Sequence, residues 1–288
     1  MKLNKQILLL SIAYGLCLNA MQPPQARVTY SQSATDSLFN TFQTAASFSN
    51  QQLIDRVKSL LAQGANPNAI WQKIVNLSDI GLNCIVTIRP LEEAIELNEP
   101  ELVKLLLEAG AIPNMQSTTK LPILVRALYK NTVYSNAIAE LLISYGANTS
   151  ESLTYVARDA GTQQNHHAFN FLIKHSPDVN YYGNSNNTPL LSATGNRDLL
   201  KMRALLEAGA DPNLTSTDSR YTPLMEAIAN KDIDAIRLLL ENGARTDIKN
   251  KLGQTALVMA LKGRAGEEIE MLLRNPPPVK KLGLKKLL

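Results

Sequence analysis

Two stretches of this sequence are near copies of each other, and that repetition limits what the chain can fold into. Thr188-Pro189-Leu190-Leu191-Ser192-Ala193 is followed by Leu205-Leu206-Glu207-Ala208-Gly209-Ala210-Asp211-Pro212-Asn213. Thr222-Pro223-Leu224-Met225-Glu226-Ala227 is followed by Leu239-Leu240-Glu241-Asn242-Gly243-Ala244. The units lie 34 residues apart, and alanine precedes glycine by 16 residues in both. Pro90-Leu91-Glu92-Glu93-Ala94 and Leu106-Leu107-Glu108-Ala109-Gly110-Ala111 repeat the 16-residue interval upstream. Weaker copies run from Ala127 to Gly146-Ala147-Asn148, from Ala157 to Ser176-Pro177-Asp178-Val179-Asn180, and from Thr255–Ala260 to Leu272-Leu273. The alanines at 94, 127, 157, 193, 227 and 260 step by 33, 30, 36, 34 and 33, and a degenerate first copy ends at Leu60–Asn68. Seven units fit, and a period of this length marks a solenoid of stacked units.

Each unit reads as two short helices. Thr188 and Thr222 are helix N-caps whose hydroxyls can accept a free backbone N–H, and Pro189 and Pro223 follow at the first helical position, where no N–H is missed. Ile233, Ile236, Leu239 and Leu240 form one apolar stripe at helical spacing. Gly209 and Gly243 stop the second helices, because glycine enters the left-handed conformation without steric penalty. Ala193 and Ala227 are small where paired helices approach closely. Hydrophobic content of 45% against 19% charged residues supplies enough apolar surface for a folded array.

These residues resemble the ankyrin repeat, with its period of about 33 and its Thr-Pro-Leu-His-x-Ala signature. The resemblance covers residues 36–276 and departs from the family at the histidine, where Glu92, Val125, Leu191, Met225 and Val258 stand. It implies an all-α solenoid of about seven stacked helix-turn-helix units with short fingers between them. The units fall near 36–68, 87–114, 121–148, 150–180, 187–213, 221–247 and 254–276. It also implies that partners meet a concave surface of finger tips and exposed first-helix positions. The tips fall near Trp71, Met115, Tyr181, Tyr182, Thr215 and Lys249, and the first-helix positions include Glu93, Arg126, Ser192 and Glu226. Aromatic and arginine anchors dominate interface energy, so the candidate partner-binding residues are Trp71, Met115, Tyr181, Tyr182, Arg220 and Lys249.

The ends of the chain differ from its body. Lys2 and Lys5 precede an apolar run from Ile7 to Leu18, and Leu18-Asn19-Ala20 offers a cleavage point near Ala20. This reads as a secretory signal peptide, too short for an ordinary membrane span. A lipidated Cys17 fits poorly, because bulky Leu16 precedes it. With residues 1–20 removed, Cys84 is the remaining cysteine and has no internal disulfide partner. Residues 21–35, rich in Gln, Ser and Pro, read as a disordered linker. The connection from Ala69 to Thr87 is enlarged and carries Trp71, the only tryptophan, with Ile70, Ile74, Ile80 and Ile85. Pro276-Pro277-Pro278 terminate the array, and residues 277–288 form a basic Pro/Lys/Leu tail with a solvated, disordered end.

Little in the chain points to catalysis. It holds no Gly-x-Ser-x-Gly elbow, Walker loop, dinucleotide fingerprint or His-Glu-x-x-His. His166 and His167 lack ligands at zinc-site spacing and read as a solvated loop. Glu92 and Glu93 are adjacent, point about 100° apart on a helix, and read as a solvated helix start. Lys2, Lys5, Lys280, Lys281, Lys285 and Lys286 lie outside the body, which leaves it 23 basic residues against 25 acidic ones. A body of net charge −2 is not built for nucleic acid. The expectation is a non-catalytic, monomeric protein-interaction module of bacterial type, secreted or periplasmic, with no cofactor, no metal and no membrane span in the mature chain. The rival reading is a periplasmic scaffold or chaperone-like subunit protecting an envelope enzyme.

Overall fold

The computed structural model describes residues 29–77, 82–114, 121–159, 163–175, 178–183 and 186–280. Among these run fourteen α-helices in seven pairs. The pairs are α1 (Gln32–Gln43) with α2 (Asn50–Ala62), α3 (Pro90–Glu96) with α4 (Pro100–Glu108), and α5 (Ile123–Tyr129) with α6 (Ser135–Ser144). Then come α7 (Thr149–Arg158) with α8 (Gln163–His175), α9 (Pro189–Gly195) with α10 (Leu199–Glu207), α11 (Pro223–Ala229) with α12 (Ile233–Glu241), and α13 (Ala256–Lys262) with α14 (Glu267–Arg274). The first helix begins at Gln32, capped by the Ser31 hydroxyl on the Ala34 N–H, so order reaches into the stretch assigned to a linker. Residues 1–20, expected to be a signal peptide, and the tail beyond Lys280 lie outside the described residues.

The caps work as the residue types require. Thr188 and Thr222 accept the N–H groups of Leu191 and Met225 at 3.3 and 3.2 Å. In the same two units the second helices start on aspartates: Asp198 accepts from Lys201 N–H and Asp232 from Ala235 N–H. At their far ends Gly209 and Gly243 stand at φ +94° and +86°. This lets Ala210 and Ala244 donate back to the carbonyls of Leu205 and Leu239, both at 2.9 Å, in a Schellman stop. Gly64, Gly110 and Gly146 end their helices in the same way.

First helices stack on first helices through the array, from α1 on α3 to α11 on α13. Their alanines make the close approach, since Ala94, Ala157, Ala193, Ala227 and Ala260 are all fully buried. The stripe of α12 faces inward, with Ile236, Leu239 and Leu240 buried and Ile233 packed at its edge. One core cluster runs from Ala34 to Leu273.

Between units an asparagine side chain sets the register. Asn68 donates to Gly110 O at 2.9 Å and accepts from Ile112 N–H at 2.8 Å. Asn114 makes the same pair with Gly146 O and Asn148 N–H, and Asn213 makes it with Gly243 O and Arg245 N–H. Asn180 keeps the accepting half, from Asp211 N–H. The bridge fails at Asn148, whose side chain caps α7 on Glu151 N–H instead, so the fourth unit follows the third without a finger.

The enlarged connection after the first unit is a β-hairpin, an addition to the helical array. Strands β1 (Trp71–Leu77) and β2 (Leu82–Ile88) pair antiparallel, with Trp71 opposite Ile88 and Leu77 opposite Leu82. Trp71, Ile74, Val75, Ile85, Val86 and Ile88 are residue types that favour the pleat.

Replacing Asn213 by Ala removes two hydrogen bonds that tie one unit's loop to the next. Urea unfolding of Asn213→Ala is expected to show a loss of about 1–3 kcal/mol, with the helix content of the folded state unchanged.

Candidate interaction surface

The fingers preceding the fifth, sixth and seventh units are bonded to one another. Tyr182 donates its hydroxyl to Thr215 O at 3.0 Å, and Thr217 N–H donates to Asn186 O at 3.2 Å. Lys251 N–H then donates to Ser219 O at 3.1 Å. Each tip is also closed internally. Ser216 N–H reaches Tyr221 O at 2.8 Å, Tyr221 N–H reaches the Ser216 hydroxyl at 3.0 Å, and Ser216 and Ser219 share a hydroxyl contact at 2.7 Å. In the next finger the buried Asn250 side chain accepts from Leu252 N–H and Gln254 N–H.

This scaffold brings three of the candidate binding residues into one row of fingers. Tyr182 is 38% exposed, and Arg220 and Lys249 are exposed. Arg220 holds φ at +55°, so its side chain leaves the finger from the turn itself. Burial pushes the Tyr182 hydroxyl's pKa up, and the Asp211 charge adds to this, so the phenol stays a donor at physiological pH. Tyr181 is half-buried, its carbonyl accepting from the Thr154 hydroxyl at 3.4 Å. Met115 lies outside the described residues.

Trp71 stands apart from that row. It is 8% exposed at the base of the hairpin, with its ring 5.0 Å from Phe39 and 5.8 Å from Phe42. Its large apolar area is spent on packing the first unit, so it is a core residue rather than an exposed anchor.

The first-helix positions are less open than the repeat pattern implies. Ser192 is 6% exposed, buried within the stack of first helices. Arg126 is half-buried and turned onto Glu96, at 3.1 Å, where Lys130 also pairs. Burial opposes ionisation of Glu96, but hydrogen bonds from Lys130 and Arg126 prevail and lower its pKa. Glu226 is half-buried with its pKa raised by burial. Glu93 is half-buried, and Glu92 is buried rather than solvated: its carboxylate accepts Arg89 N–H at 3.1 Å, the glutamate half of a capping box at the start of α3.

The histidines also differ from expectation, since His166 and His167 lie within α8 rather than in a loop. The apolar positions Ala168, Phe169 and Leu172 carry the helical period through them and are buried. His167 meets Asn136 at 3.0 Å, and His175 meets Glu140 at 3.1 Å while stacking on Phe171. Among the described residues, no three His, Cys, Asp or Glu side chains gather to hold a metal, and no helix is long and apolar enough to cross a membrane.

One polar cluster escaped the sequence reading altogether. Lys201 of α10 is 1% exposed, and its ammonium reaches Asp159 O at 2.9 Å, Val156 O at 3.2 Å and the Asp198 carboxylate at 3.3 Å. Three donors meet three acceptors. The lysine thereby closes the C-terminal end of α7, where a cation complements the helix dipole. Beside it Tyr129 donates to Asp159 at 2.7 Å, and buried Asn165 donates to the Tyr129 hydroxyl at 3.0 Å and to Val156 O at 3.0 Å. Burial, then the hydrogen bond to Asp159, raises the Tyr129 pKa far above the usual phenol range. Lys201 and Asn165 are buried, Tyr129 and Asp159 are half-buried, and the lysine's three protons are all bonded, so this cluster holds neighbouring units together. Only an aspartate three residues before Lys201 hinted at it.

A family model of ankyrin repeats, in three copies, matches residues 202–281. No curated protein matches the chain significantly. Among solved structures the chain is similar to the ankyrin repeat domain of Bcl-3, described as a unique member of the IkappaB protein family. That match has TM-score 0.58 and 20% identity, and covers 82% of this chain and 96% of that one. It is also similar to the human ASB11 ankyrin repeat domain, with TM-score 0.50, 22% identity, and coverage of 83% and 99%. At these identities the likeness is one of fold.

Two outcomes follow from the buried groups. Lys201→Met strands the Asp198 carboxylate and two carbonyls, and should cost about 3 kcal/mol in urea unfolding; a loss under about 1 kcal/mol would contradict the assignment. Glu226 has a raised pKa in the fold, so its protonated form is the one that folding favours. That contribution is complete below the ordinary glutamate pKa and is lost as pH rises through the folded value. Glu226→Gln should therefore raise the melting temperature at pH 7, with the gain vanishing as pH falls to about 4.

Proposed function

We propose that this ankyrin-repeat protein is a non-catalytic binding module that holds a partner protein on the tips of its fingers from Tyr181 to Lys249. Solenoids of this kind use extended surfaces of stacked units for recognition. The observation that carries the reading is the bonded row of fingers, which displays Tyr182, Arg220 and Lys249 on a backbone already fixed by hydrogen bonds. A preformed surface loses little conformational entropy when a partner docks. Tyrosine and arginine supply the contacts that weigh most in such interfaces.

The location we propose is outside the cytoplasm, secreted or periplasmic, in a bacterial cell. Support comes from Lys2 and Lys5 ahead of the apolar run Ile7–Leu18. Expressed from its own first codon in a bacterial host, the exported protein should give an N-terminal sequence starting near Met21. An intact Met1 on the exported form would remove this part of the proposal.

Affinity capture with residues 21–288 tests the binding reading. Envelope and host-cell extracts are passed over the parent chain and over Tyr182→Ala/Arg220→Ala/Lys249→Ala, with retained proteins identified by mass spectrometry. The parent is expected to retain a specific protein, and the folded triple variant at least about tenfold less of it. Equal retention would leave the function standing and move the surface elsewhere. Repeated captures with nothing specific would overturn the function itself.

A further inference from the structure

The last two fingers carry a local charge that the body of the chain does not. Residues 214–221 and 248–254 hold Arg220, Lys249 and Lys251 against a single acid, Asp218. Asp247, just before them, is neutralised by Arg245, whose guanidinium binds both carboxylate oxygens, at 3.0 and 2.7 Å. Asp218 accepts from the Asn186 amide at 3.3 Å. None of Arg220, Lys249 and Lys251 is in an ion pair among the described residues, and all three are exposed. The two fingers thus net +2 on a body that nets −2.

The cations are displayed by design of the turn. Asn250 is 3% exposed because its side chain turns inward to accept Leu252 and Gln254 N–H groups, which directs its neighbours Lys249 and Lys251 outward. The Lys251 N–H bond to Ser219 O sets that finger against the one bearing Arg220, the residue after Ser219. Leu252, beside Lys251, is 77% exposed at the same tip. Three exposed cations on a hydrogen-bonded finger backbone, with one bare aliphatic side chain beside them, fit carboxylates spaced around an apolar residue.

We propose that the fingers at 214–221 and 248–254 recognise an acidic peptide segment of a partner protein, with an apolar residue of that segment seated on Leu252. This rests on the finger-tip binding reading above and names the chemistry of the partner. Carboxylates pair with the three cations at an exposed surface, so the contribution is salt-sensitive and adds most to association rate and specificity. Nucleic acid fits less well. The cations are confined to two tips rather than forming a stripe that follows a phosphate backbone, and the surrounding body is net negative.

The test is fluorescence anisotropy on the chain 21–288 with a labelled heptapeptide, Glu-Asp-Glu-Leu-Glu-Asp-Glu, against its Leu-to-Ser version and a single-stranded DNA oligonucleotide of matched charge. The peptide is expected to bind, with affinity falling as salt rises from about 50 to 300 mM. Arg220→Glu/Lys249→Glu/Lys251→Glu should weaken it by at least about 30-fold, and the milder Arg220→Gln/Lys249→Gln/Lys251→Gln by about 10-fold, each with an unchanged circular dichroism spectrum. Leu252→Ser should cost about threefold with the leucine peptide and nothing with the serine one. Lys285→Gln/Lys286→Gln in the tail should leave binding intact. Equal binding by parent and charge variants, or tighter binding of the DNA than of the peptide, would overturn the proposal. A partner captured from extract and still held by the triple glutamate variant would overturn the acidic-segment assignment while leaving the binding module in place.

Discussion

Stacking of first helices, unit on unit, buries the alanines at 94, 127, 157, 193, 227 and 260 with the leucines beside them, and a single helix pair has no other way to cover its apolar stripe. The magnitudes rank the contributions. A buried leucine is worth about 1.5–3 kcal/mol, whereas a net hydrogen bond contributes about 1 kcal/mol. Apolar contact therefore holds the array, and the polar bridges decide how its units are aligned. Asn68, Asn114 and Asn213 each link the loop of one unit to the helix stop of the next. The glycine in that stop frees the carbonyl that the asparagine reaches.

The fourth unit departs from this scheme. Asn148 is used as a helix cap, and the finger that would precede α7 is missing. Buried polar groups take over the connection there: Lys201 from the fifth unit closes the end of α7, and Tyr129 from the third unit joins through Asp159 and Asn165. The connection that loses its finger is thus bridged by Tyr129, while Lys201, with all three ammonium protons bonded, ties the same end of α7 to the fifth unit. Such networks are costly when incomplete and orient their neighbours when complete.

The repeat spacing revealed the array, its strongest units and their caps, because those features are local: threonine before proline, glycine after a leucine pair. Contacts between units left weaker traces. The hairpin at 71–88 is rich in Ile and Val, yet its apolar residues keep no strict alternation and it interrupts a helical period, so it reads as a long finger. Trp71 resembles an exposed anchor by type, and only the three-dimensional meeting with Phe39 and Phe42 places it in the core. Ser192 and Glu92 are polar residues in buried positions, which composition cannot reveal. His166 and His167 follow a glycine and two glutamines, a loop-like context that the buried Ala168, Phe169 and Leu172 outweigh. The exposed placement of Tyr182, Arg220 and Lys249 in the fingers was legible because turns between repeats must face outward. Lys251 and Leu252 were passed over, since their display depends on the inward turn of Asn250.

The fingers form one hydrogen-bonded surface in the free protein, and native-state amide exchange tests this most directly. The amides of Ser216, Tyr221, Asn250 and Gln254 donate within the fingers and should be protected in the free protein to a degree approaching the helix stop at Ala244. Exchange of these four amides at the rate of an unstructured peptide, with the helices still protected, would contradict a preformed surface.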